Sequence, residues 1–484
     1  MKKTTALILC ILFVLSAFVA AVSGCSLIPG NKTGKGVTET VTGTNATSSD
    51  EEPWPVRDMG ESVFRILGRS GFKNKDYIYN PETEDDVIND ALNTRNEWLK
   101  DHYNFTLEFT EVADAEYMAT AKAELSGGTA GYDLFVAPGR TIATISQEGS
   151  LIDLASQKNI DLKAEWWDQS ANRDLSIAGR VFITTGAMST SDMNSTYVIF
   201  FNKDLIEEKS LENPYQLVYD NKWTIDKMLE LCKGVKVDIN DDGKWTNVDM
   251  YGYVCENYDS YAMFFSSGEK VIGKDNDDLP ALCVNTSRAS EVIDSLKTFY
   301  SDESTYVNLA ADIIPIIKAG RSVFCGTILG AISSYREMEA DFGIIPLPKY
   351  EVDQDEYISP VSAATTGSLI GVPVSSTDID ASTFMLEMLC RKSLTTLRTA
   401  YYDVVVTKQS LRDEDSKKML EKIQAGHMFD IAYMNDWGGW FLWLYSIAGN
   451  PSGANLASQF DAQQANTNKL IQDTIDVYMK YINE

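Results

Sequence analysis

The sequence contains very little histidine. Only His102 and His427 occur in 484 residues, far apart and in no spacing typical of metal ligands. Histidine is the side chain that most often acts as a general base near neutral pH. Its scarcity is a small argument against a catalytic function.

Positive charge is also scarce. Lys and Arg together number 42 against 70 Asp and Glu, which gives a formal net charge of −28. An acidic surface of this kind repels phosphate backbones, so we expect no nucleic-acid partner. It also disfavours strongly anionic ligands unless a local basic pocket compensates.

Motifs for common enzymatic and nucleotide chemistry are missing. The sequence lacks the glycine-rich phosphate loop, the dinucleotide fingerprint G-x-G-x-x-G, the zinc motif H-E-x-x-H and the nucleophile motif G-x-S-x-G. We therefore expect no organic cofactor. A carboxylate pair for glycoside hydrolysis stays open, because acidic residues are abundant, but no spacing selects two of them.

Cysteine gives no disulfide framework. The chain has seven cysteines, of which Cys10 and Cys25 lie in the N-terminal segment. The other five form no C-x-x-C pair and are odd in number: Cys232, Cys255, Cys283, Cys325 and Cys390. We interpret them as mostly buried free thiols.

A long apolar run occurs at the N-terminus. Two lysines precede it, it extends from Ala6 to about Val22, and it ends in Ser-Gly-Cys25. This pattern predicts a signal peptide over residues 1–24. The ending also resembles the bacterial lipobox, which predicts lipidation of Cys25. An uncleaved membrane anchor is the alternative, since the run is nearly long enough to span a bilayer.

A flexible tether is predicted over residues 25–60. Residues 26–53 are dominated by Gly, Thr, Ser and Asn and have few large apolar side chains. Such a segment cannot bury enough surface to fold, and about 30 such residues have an average reach of roughly 30 Å. We therefore expect the body outside the cytoplasm, lipid-anchored at the outer face of the cytoplasmic membrane.

The body alternates strands and helices. Residues 62–69 and 104–112 have strand character, and apolar residues at helical spacing lie between them. This pattern predicts a parallel strand–helix–strand unit and an α/β fold with mainly parallel sheets. Ligands bind at the carboxyl ends of such strands. The loop at 138–140, after the strand DLFVA, is therefore a candidate ligand edge. A polar stretch over residues 184–196 lies between two further predicted strands.

The segment 238–249, DINDDGKWTNVD, begins like a calcium loop of the form D-x-[DN]-x-[DN]-G. Calcium takes roughly six to eight oxygen ligands, and Gly243 permits the sharp turn. The candidate ligands are Asp238, Asn240, Asp242, the Lys244 carbonyl and Asp249, which replaces the usual Glu. The alternative is a hairpin of Asx-turns with solvated carboxylates.

Three tryptophans lie within DWGGWFLW, residues 436–443. Trp443 stands among large apolar residues, and we interpret it as core. Trp437 follows Asp436 and precedes two glycines, so we consider Trp437 and Trp440 as a surface for the flat face of a sugar, with Asp436 as a hydroxyl partner. Core packing is the alternative for both.

Several stretches, in order, resemble one family. They are the lipobox, YDLFVAPGRTIATISQEGSLIDL (132–154), STYVIFFNKDLIEE (195–208), KWTIDKMLELC (222–232), KAGRSVFCG (318–326) and DFGIIPLPKYEVDQDEYIS (341–359). Together they resemble the extracellular solute-binding proteins of bacterial carbohydrate ABC importers, the maltodextrin-binding-like group. The resemblance implies a two-lobed periplasmic-binding-protein-like fold of type II, with hinge crossovers near 186–192, near 346–349 and after 370–373.

The resemblance also implies lobes, site and function. Lobe 1 would comprise residues 61–187 and 349–376, and lobe 2 residues 188–348 and 377–484. The ligand-binding residues would be Arg140, Asp192, Asn194, Tyr197, Gly326, Asp436, Trp437 and Trp440. The expected function is capture of a sugar or oligosaccharide by a monomer, followed by delivery to a membrane permease without chemical change. A tethered carbohydrate-active enzyme and a surface adhesin are the alternatives.

Overall fold

The computed structural model describes residues 53–70, 77–83, 86–127, 131–331, 334, 338, 340–404 and 413–480. The chain divides into two compact units, residues 1–55 and 56–484, and every element below belongs to the second. The predicted signal peptide and Cys25 lie outside the described residues. Among the residues that were described, no helix combines the length and apolarity needed to cross a membrane.

The end of the predicted tether belongs to the folded unit. The amide N–H of Met59 donates to the carbonyl of Tyr103, and Met59 is buried. Arg57 forms an ion pair with Asp380 at 3.0 Å. The predicted boundary at residue 60 is therefore several residues too late, because these contacts fix the chain from about residue 56 onward.

The strands of the described part, in chain order, are β1 Ser62–Arg69, β2 Phe105–Val112, β3 Leu134–Ala137, β4 Tyr197–Asn202, β5 Tyr251–Cys255, β6 Ile272–Lys274, β7 Pro280–Leu282, β8 Thr305–Val307, β9 Ser322–Ile328, β10 Phe342–Ile345, β11 Ser359–Pro360, β12 Leu369–Gly371 and β13 His427–Met428. The central strands β3, β4 and β5 are buried along their whole length, which explains their nearly continuous apolar sequences.

The helices of the described part are α1 Val87–Tyr103, α2 Asp114–Leu125, α3 Gly139–Gln147, α4 Gln169–Leu175, α5 Ser191–Asn194, α6 Lys203–Glu208, α7 Pro214–Tyr219, α8 Ile225–Cys232, α9 Asp259–Ser266, α10 Ser287–Ser301, α11 Ala310–Lys318, α12 Ile379–Ser393, α13 Thr399–Asp403, α14 Glu414–Ala425, α15 Ile431–Asn435, α16 Trp440–Gly449 and α17 Leu456–Lys480. A π-helical turn, Leu394–Arg398, joins α12 to α13.

The first sheet has the strand order β12-β3-β1-β2. Strand β1 pairs in parallel with β2 and β3, and β12 is antiparallel to β3. The predicted strand–helix–strand unit is therefore present, with α1 as the crossover. Asp86 caps α1 by accepting from the amides of Ile88 and Asn89, and Asn104 ends it in a left-handed conformation.

The second sheet has the strand order β10-β4-β9-β5-β8. Strand β5 is parallel to β8 and β9, whereas β4 is antiparallel to both of its neighbours. The sheet is thus mostly parallel with one reversed strand. Of the two strands predicted around 184–196, the second is β4. The first is replaced by isolated bridges, of Thr184 with Ile370 and of Gly186 with Trp167.

Short pairings join the segments between the two sheets. Strand β11 pairs with β13, and Thr196 forms a bridge with Val361. Lys349 pairs with Thr224 at the start of α8. The chain therefore crosses back toward the first sheet after residue 349. We had predicted this crossover near 346–349 and a lobe boundary at 349.

Helix α12 packs beside the first sheet. The rings of Phe384 and Tyr103 make an edge contact at 5.3 Å, and Arg95 of α1 donates to the hydroxyl of Ser393 at 3.4 Å. We predicted that residues 377–484 belong to the second lobe. These contacts place α12 with α1, because its apolar face is needed to cover that helix.

The body cysteines follow the prediction in large part. Cys232, Cys255, Cys325 and Cys390 are buried free thiols, whereas Cys283 is a free thiol that is exposed.

Candidate functional site

The predicted residues Arg140 and Asp436 lie together. Arg140 stands in the first turn of α3, directly after β3, and forms an ion pair with Asp436 at the end of α15. Its guanidinium also lies over the ring of Tyr433, 5.9 Å from the centroid. The side chains of Arg140 and Asp436 are 37% and 55% exposed, so a ligand can reach both.

A glycine allows this approach. A Cβ atom on Gly139 would lie 2.2 Å from the sulfur of Met434 and 3.0 Å from the carbonyl oxygen of Ala363. A larger residue would force the Met434 side chain of α15 and the backbone at Ala363 to shift. Gly139 therefore brings the carboxyl end of β3 against the segment that carries Tyr433 and Asp436.

An aromatic cluster continues from Tyr433. Its ring stacks on Phe441 with centroids 3.7 Å apart and planes at 5°. Tyr261 contacts both rings edge-on, and Tyr197 lies between Tyr261 and Tyr258. We name these five rings the cleft cluster. Phe441 and Tyr258 are half-buried and the other three are buried, so those two offer ring surface to a ligand.

Strand β5 positions Tyr258. The strand ends at Cys255, and Glu256, Asn257 and Tyr258 lead into α9. Asp259, at the start of α9, accepts hydrogen bonds from the hydroxyls of Tyr253 and Tyr300 at 2.7 and 2.6 Å. Burial raises the pKa of Asp259 to about 6 despite these bonds. The anchored start of α9 fixes the half-buried segment 256–258 at the edge of the sheet.

Polar groups surround the cleft cluster. The hydroxyl of Tyr261 donates to Asp430 at 3.3 Å, and burial raises the pKa of that carboxyl to about 6. Glu256 is half-buried and accepts from the amide of Ala310 at 2.7 Å. Burial raises the pKa of Tyr258, and Glu256 adds to the effect. The region at the carboxyl ends of β3 and β5 thus combines aromatic ring faces with carboxylates and one guanidinium.

Trp437 and Trp440 are not open to a ligand. They are 1% and 2% exposed, and their indole N–H groups donate to Thr474 and Thr467 of α17 at 3.1 and 3.0 Å. The predicted sugar platform is therefore corrected. These rings attach the last helix, because buried indoles need an acceptor for their N–H and α17 provides one for each.

Gly326 is also placed differently from the prediction. It lies in the buried part of β9, and a Cβ atom there would stand 2.0 Å from the Tyr253 hydroxyl and 2.1 Å from Asp259. The glycine makes room for the hydroxyl–carboxylate contact that anchors α9. Its role here is packing rather than ligand contact.

Asp192 and Asn194 lie apart from the cleft cluster, whereas Tyr197 is part of it. Asp192 is 3% exposed and pairs with Arg398 at 2.8 Å. Asn194 accepts from the hydroxyl of Tyr401 at 2.8 Å. Asp192, Arg398 and Tyr401 line a cavity of about 480 Å³ beside β13, which we name the β13 cavity. The predicted ligand residues thus divide between two places.

The predicted calcium loop uses most of its side-chain oxygens within the chain, although Oδ1 of Asp238 is buried and has no hydrogen-bond partner among the described residues. Asp249 accepts from the amides of Ile239 and Thr246, and Asp238 accepts from the amide of Gly243 at 2.8 Å. Asn240 and Asp242 hydrogen-bond to each other. No metal-like group of three Asp, Glu, His or Cys residues found in the described part includes any of them. The arrangement resembles the Asx-turn alternative, and calcium binding stays a prediction.

Sequence reasoning missed most of the cleft cluster. Tyr258 carries the same signal as Arg140, since it follows directly after a buried strand. Phe441 stands among large apolar residues, which in the sequence favour core packing rather than a ligand contact. For Asp168 and His427 in the β13 cavity no sequence signal exists, since the two residues are 259 positions apart.

Comparison with protein families gives one match. The model described as bacterial extracellular solute-binding protein matches residues 94–425. No curated protein matches the chain.

Solved structures show the same fold. The cyclic α-maltosyl-1,6-maltose binding protein from Arthrobacter globiformis is 12% identical, covers 86% of this chain and 100% of its own, and gives a TM-score of 0.58. The maltose-binding protein MalE from Listeria monocytogenes, in complex with maltose, is 16% identical, with coverages of 85% and 98% and a TM-score of 0.54. A cyclo/maltodextrin-binding protein with maltotetraose is 12% identical, with coverages of 87% and 97% and a TM-score of 0.55. At these identities the likeness shows the fold, which is the predicted two-lobed binding-protein fold.

Proposed function

Because the chain belongs to the bacterial extracellular solute-binding proteins, we propose that it captures a carbohydrate at the cleft cluster and delivers it to the permease of an ABC importer. The family consists of binding proteins rather than enzymes. The observation that carries the proposal is the family match over residues 94–425, together with half-buried aromatic rings beside an accessible ion pair. The maltose and maltotetraose complexes of similar structures support a sugar as the solute class.

The chemistry of the cleft cluster suits a sugar. Phe441 and Tyr258 offer ring faces, whose negative quadrupole attracts the C–H groups on one side of a sugar ring. Arg140 donates hydrogen bonds, and Asp436 and Glu256 accept them, so hydroxyl groups of either orientation find partners. A few polar groups around an apolar surface are typical of small-molecule sites.

The proposed mechanism is closure without chemistry. Arg140 lies on the edge of the first sheet, while Tyr258 follows a strand of the second sheet. A solute that contacts both favours the arrangement in which the two edges are close, by its differential affinity for the two states. The closed form then docks on the permease and releases the solute unchanged.

We also propose that the protein is anchored through Cys25 at the outer face of the cytoplasmic membrane and acts as a monomer. An extracellular or periplasmic location agrees with its family. Labelling of growing cells with a fatty-acid analogue tests the anchor: wild type incorporates the label and Cys25→Ser does not. Equal labelling of both would exclude the lipid anchor.

The function is tested by calorimetry with product analysis. We expect saturable one-to-one binding of at least one member of a panel of malto-, cello- and galacto-oligosaccharides, with the sugar recovered at its original mass. New reducing ends would instead support the tethered carbohydrate-active enzyme. If no panel member binds, the proposed solute class is wrong.

A further inference from the structure

The β13 cavity concentrates charge in a recess that opens to solvent. Its volume is about 480 Å³, and it is bordered by the segment before α4, by α5, by Leu394–Arg398 and by β13. The charged or titratable residues on its wall are Glu165, Asp168, Asp192, Arg398, Tyr401, Tyr402 and His427. Three carboxylates thus face one guanidinium, so the cavity favours a cation.

Three of these side chains converge. One ligand atom each of Asp168, Asp192 and His427 lies within 4.8 Å of the other two. In the part of the chain that the structure describes, this is the one such group of three. Asp192 is 3% exposed and His427 is 6% exposed, whereas Asp168 is half-buried, so the cluster lies on the wall of a cavity that solvent can enter.

Thr196 can hold His427 in the tautomer that carries its proton on Nε2. The hydroxyl of Thr196 lies 2.8 Å from the carbonyl oxygen of Asp192, to which it can donate its proton. Nε2–H of His427, at 2.9 Å, then donates to the hydroxyl oxygen. In a neutral imidazole, Nδ1 then carries a lone pair, and this atom lies 3.3 Å from Oδ2 of Asp168.

In this tautomer the lone pair and the carboxylate repel each other, and a positive species between them, a proton or a metal ion, relieves the repulsion. We propose that this species is a divalent transition-metal ion of the zinc type, held by Nδ1 of His427 and one oxygen each of Asp168 and Asp192. Two ligands about 2.0–2.1 Å from a tetrahedral ion are roughly 3.3–3.4 Å apart, which matches the Nδ1–Oδ2 distance. The cavity leaves room for water as a further ligand.

The surroundings orient the proposed ligands. Thr196 holds the imidazole through Nε2, the usual arrangement for a metal-binding histidine. Arg398 donates through one nitrogen to both oxygens of Asp192, at 2.9 and 2.8 Å. A carboxylate has about four lone-pair positions, so Asp192 keeps positions for a metal.

The ion would join separate parts of the fold. Asp168 precedes α4 next to Trp167, whose indole donates to Glu387 of α12 on the side of the first sheet. His427 lies in β13, and Thr196 precedes β4 of the second sheet. A metal here would fasten the segment before α4 to the strand pairing between the sheets.

Zinc titration of the metal-stripped full chain tests the proposal. All variants carry Cys283→Ser, which removes, among the cysteines that the structure describes, the exposed thiol as a competing ligand. We expect one zinc ion per chain, at least roughly 100-fold weaker binding in His427→Gln and about tenfold weaker binding in Asp168→Asn. His102→Gln, the matched change at the only other histidine, leaves the affinity unchanged.

Two results would overturn the proposal. One is absence of zinc binding by the parent chain, which would mean that a proton occupies the position between His427 and Asp168. The other is binding of unchanged affinity in a folded His427→Gln variant, with folding checked by circular dichroism. A cobalt(II) form of the parent chain gives an independent readout. Its proton spectrum should show one strongly shifted, exchangeable Nε2–H resonance, and its absence would count against Nδ1 coordination.

Discussion

The cleft cluster and the β13 cavity are assembled in different ways. The cleft cluster is built from residues that follow the carboxyl ends of buried strands, as with Arg140 after β3 and Tyr258 after β5. The β13 cavity takes its charged groups from irregular segments and short pairings between the sheets. The first place presents half-exposed rings, whereas the second buries charges. The difference agrees with our proposal that the cleft cluster binds the solute, while the β13 cavity holds the connecting segments in position.

The largest effect is expected in the β13 cavity. Arg398→Met removes the partner of Asp192, which is 3% exposed, and leaves a buried carboxylate unpaired. We expect a loss of about 3–5 kcal/mol in the free energy of unfolding. Chemical denaturation measures it, and the double variant with Asp192→Asn should recover part of the loss. A loss below about 1 kcal/mol would show that the pair is solvated.

Glu387 hydrogen-bonds two residues that line the β13 cavity, and it should make the stability of the protein depend on pH. It accepts from the indoles of Trp166 and Trp167 at 2.9 Å each, yet burial raises its pKa from 4.5 to about 7. The unfolded chain therefore loses this proton at lower pH than the folded chain does. Stability from this group is present below about pH 4.5 and is lost as the pH rises toward 7.

The measurement is the free energy of unfolding across that pH range. Between pH 4.5 and 7, the unfolding free energy of Glu387→Gln should fall less than that of wild type, by on the order of 2–3 kcal/mol. Parallel curves for the two proteins would contradict the raised pKa. The cleft cluster should be unaffected, so solute affinity at neutral pH serves as the control.

At the cleft cluster, Phe441→Ala should weaken solute binding. The change removes a half-buried ring that stacks on Tyr433, and we expect an affinity loss of roughly 10–100-fold by calorimetry. Trp437→Phe is the matched control, because it removes the indole N–H bond to Thr474 and part of a buried ring. This control should lower stability by about 2–3 kcal/mol and leave affinity unchanged. The reverse pattern would restore Trp437 as the sugar platform.

The smallest effect concerns residues 238–249, outside both regions. If calcium occupies this loop, chelation should lower the melting temperature of the protein by a few degrees. Because Asp249 already accepts two backbone amides, an unchanged melt would favour the Asx-turn interpretation. Asp238→Asn should then leave the response to added calcium unchanged.

Much of the fold was predictable because local signals agree with it. Strand β1 was predicted with its observed bounds, and Thr224 caps α8 by accepting from the amide of Lys227. The segment boundaries were not predictable, since the placement of α12 depends on its packing against α1. The N-terminal anchor lies outside the described residues and stays a prediction.

The candidate site was predictable in part. Arg140 and Asp436 were selected separately and lie in contact. Trp437 was misplaced because polar neighbours and glycines indicate exposure, whereas its burial depends on Thr474, 37 residues later in the chain. His427 could not be linked to Asp168 from sequence spacing. The burial of Trp437 and the partner of His427 both depend on contacts between segments that are distant in the sequence.

The central claim is that two sheet edges close on a carbohydrate that is released unchanged. Small-angle scattering of the full chain, without and with a saturating oligosaccharide identified by calorimetry, tests it most directly. The account predicts a smaller radius of gyration in the bound sample and recovery of the sugar at its original mass. Identical curves at full occupancy, or a shortened sugar, would contradict it.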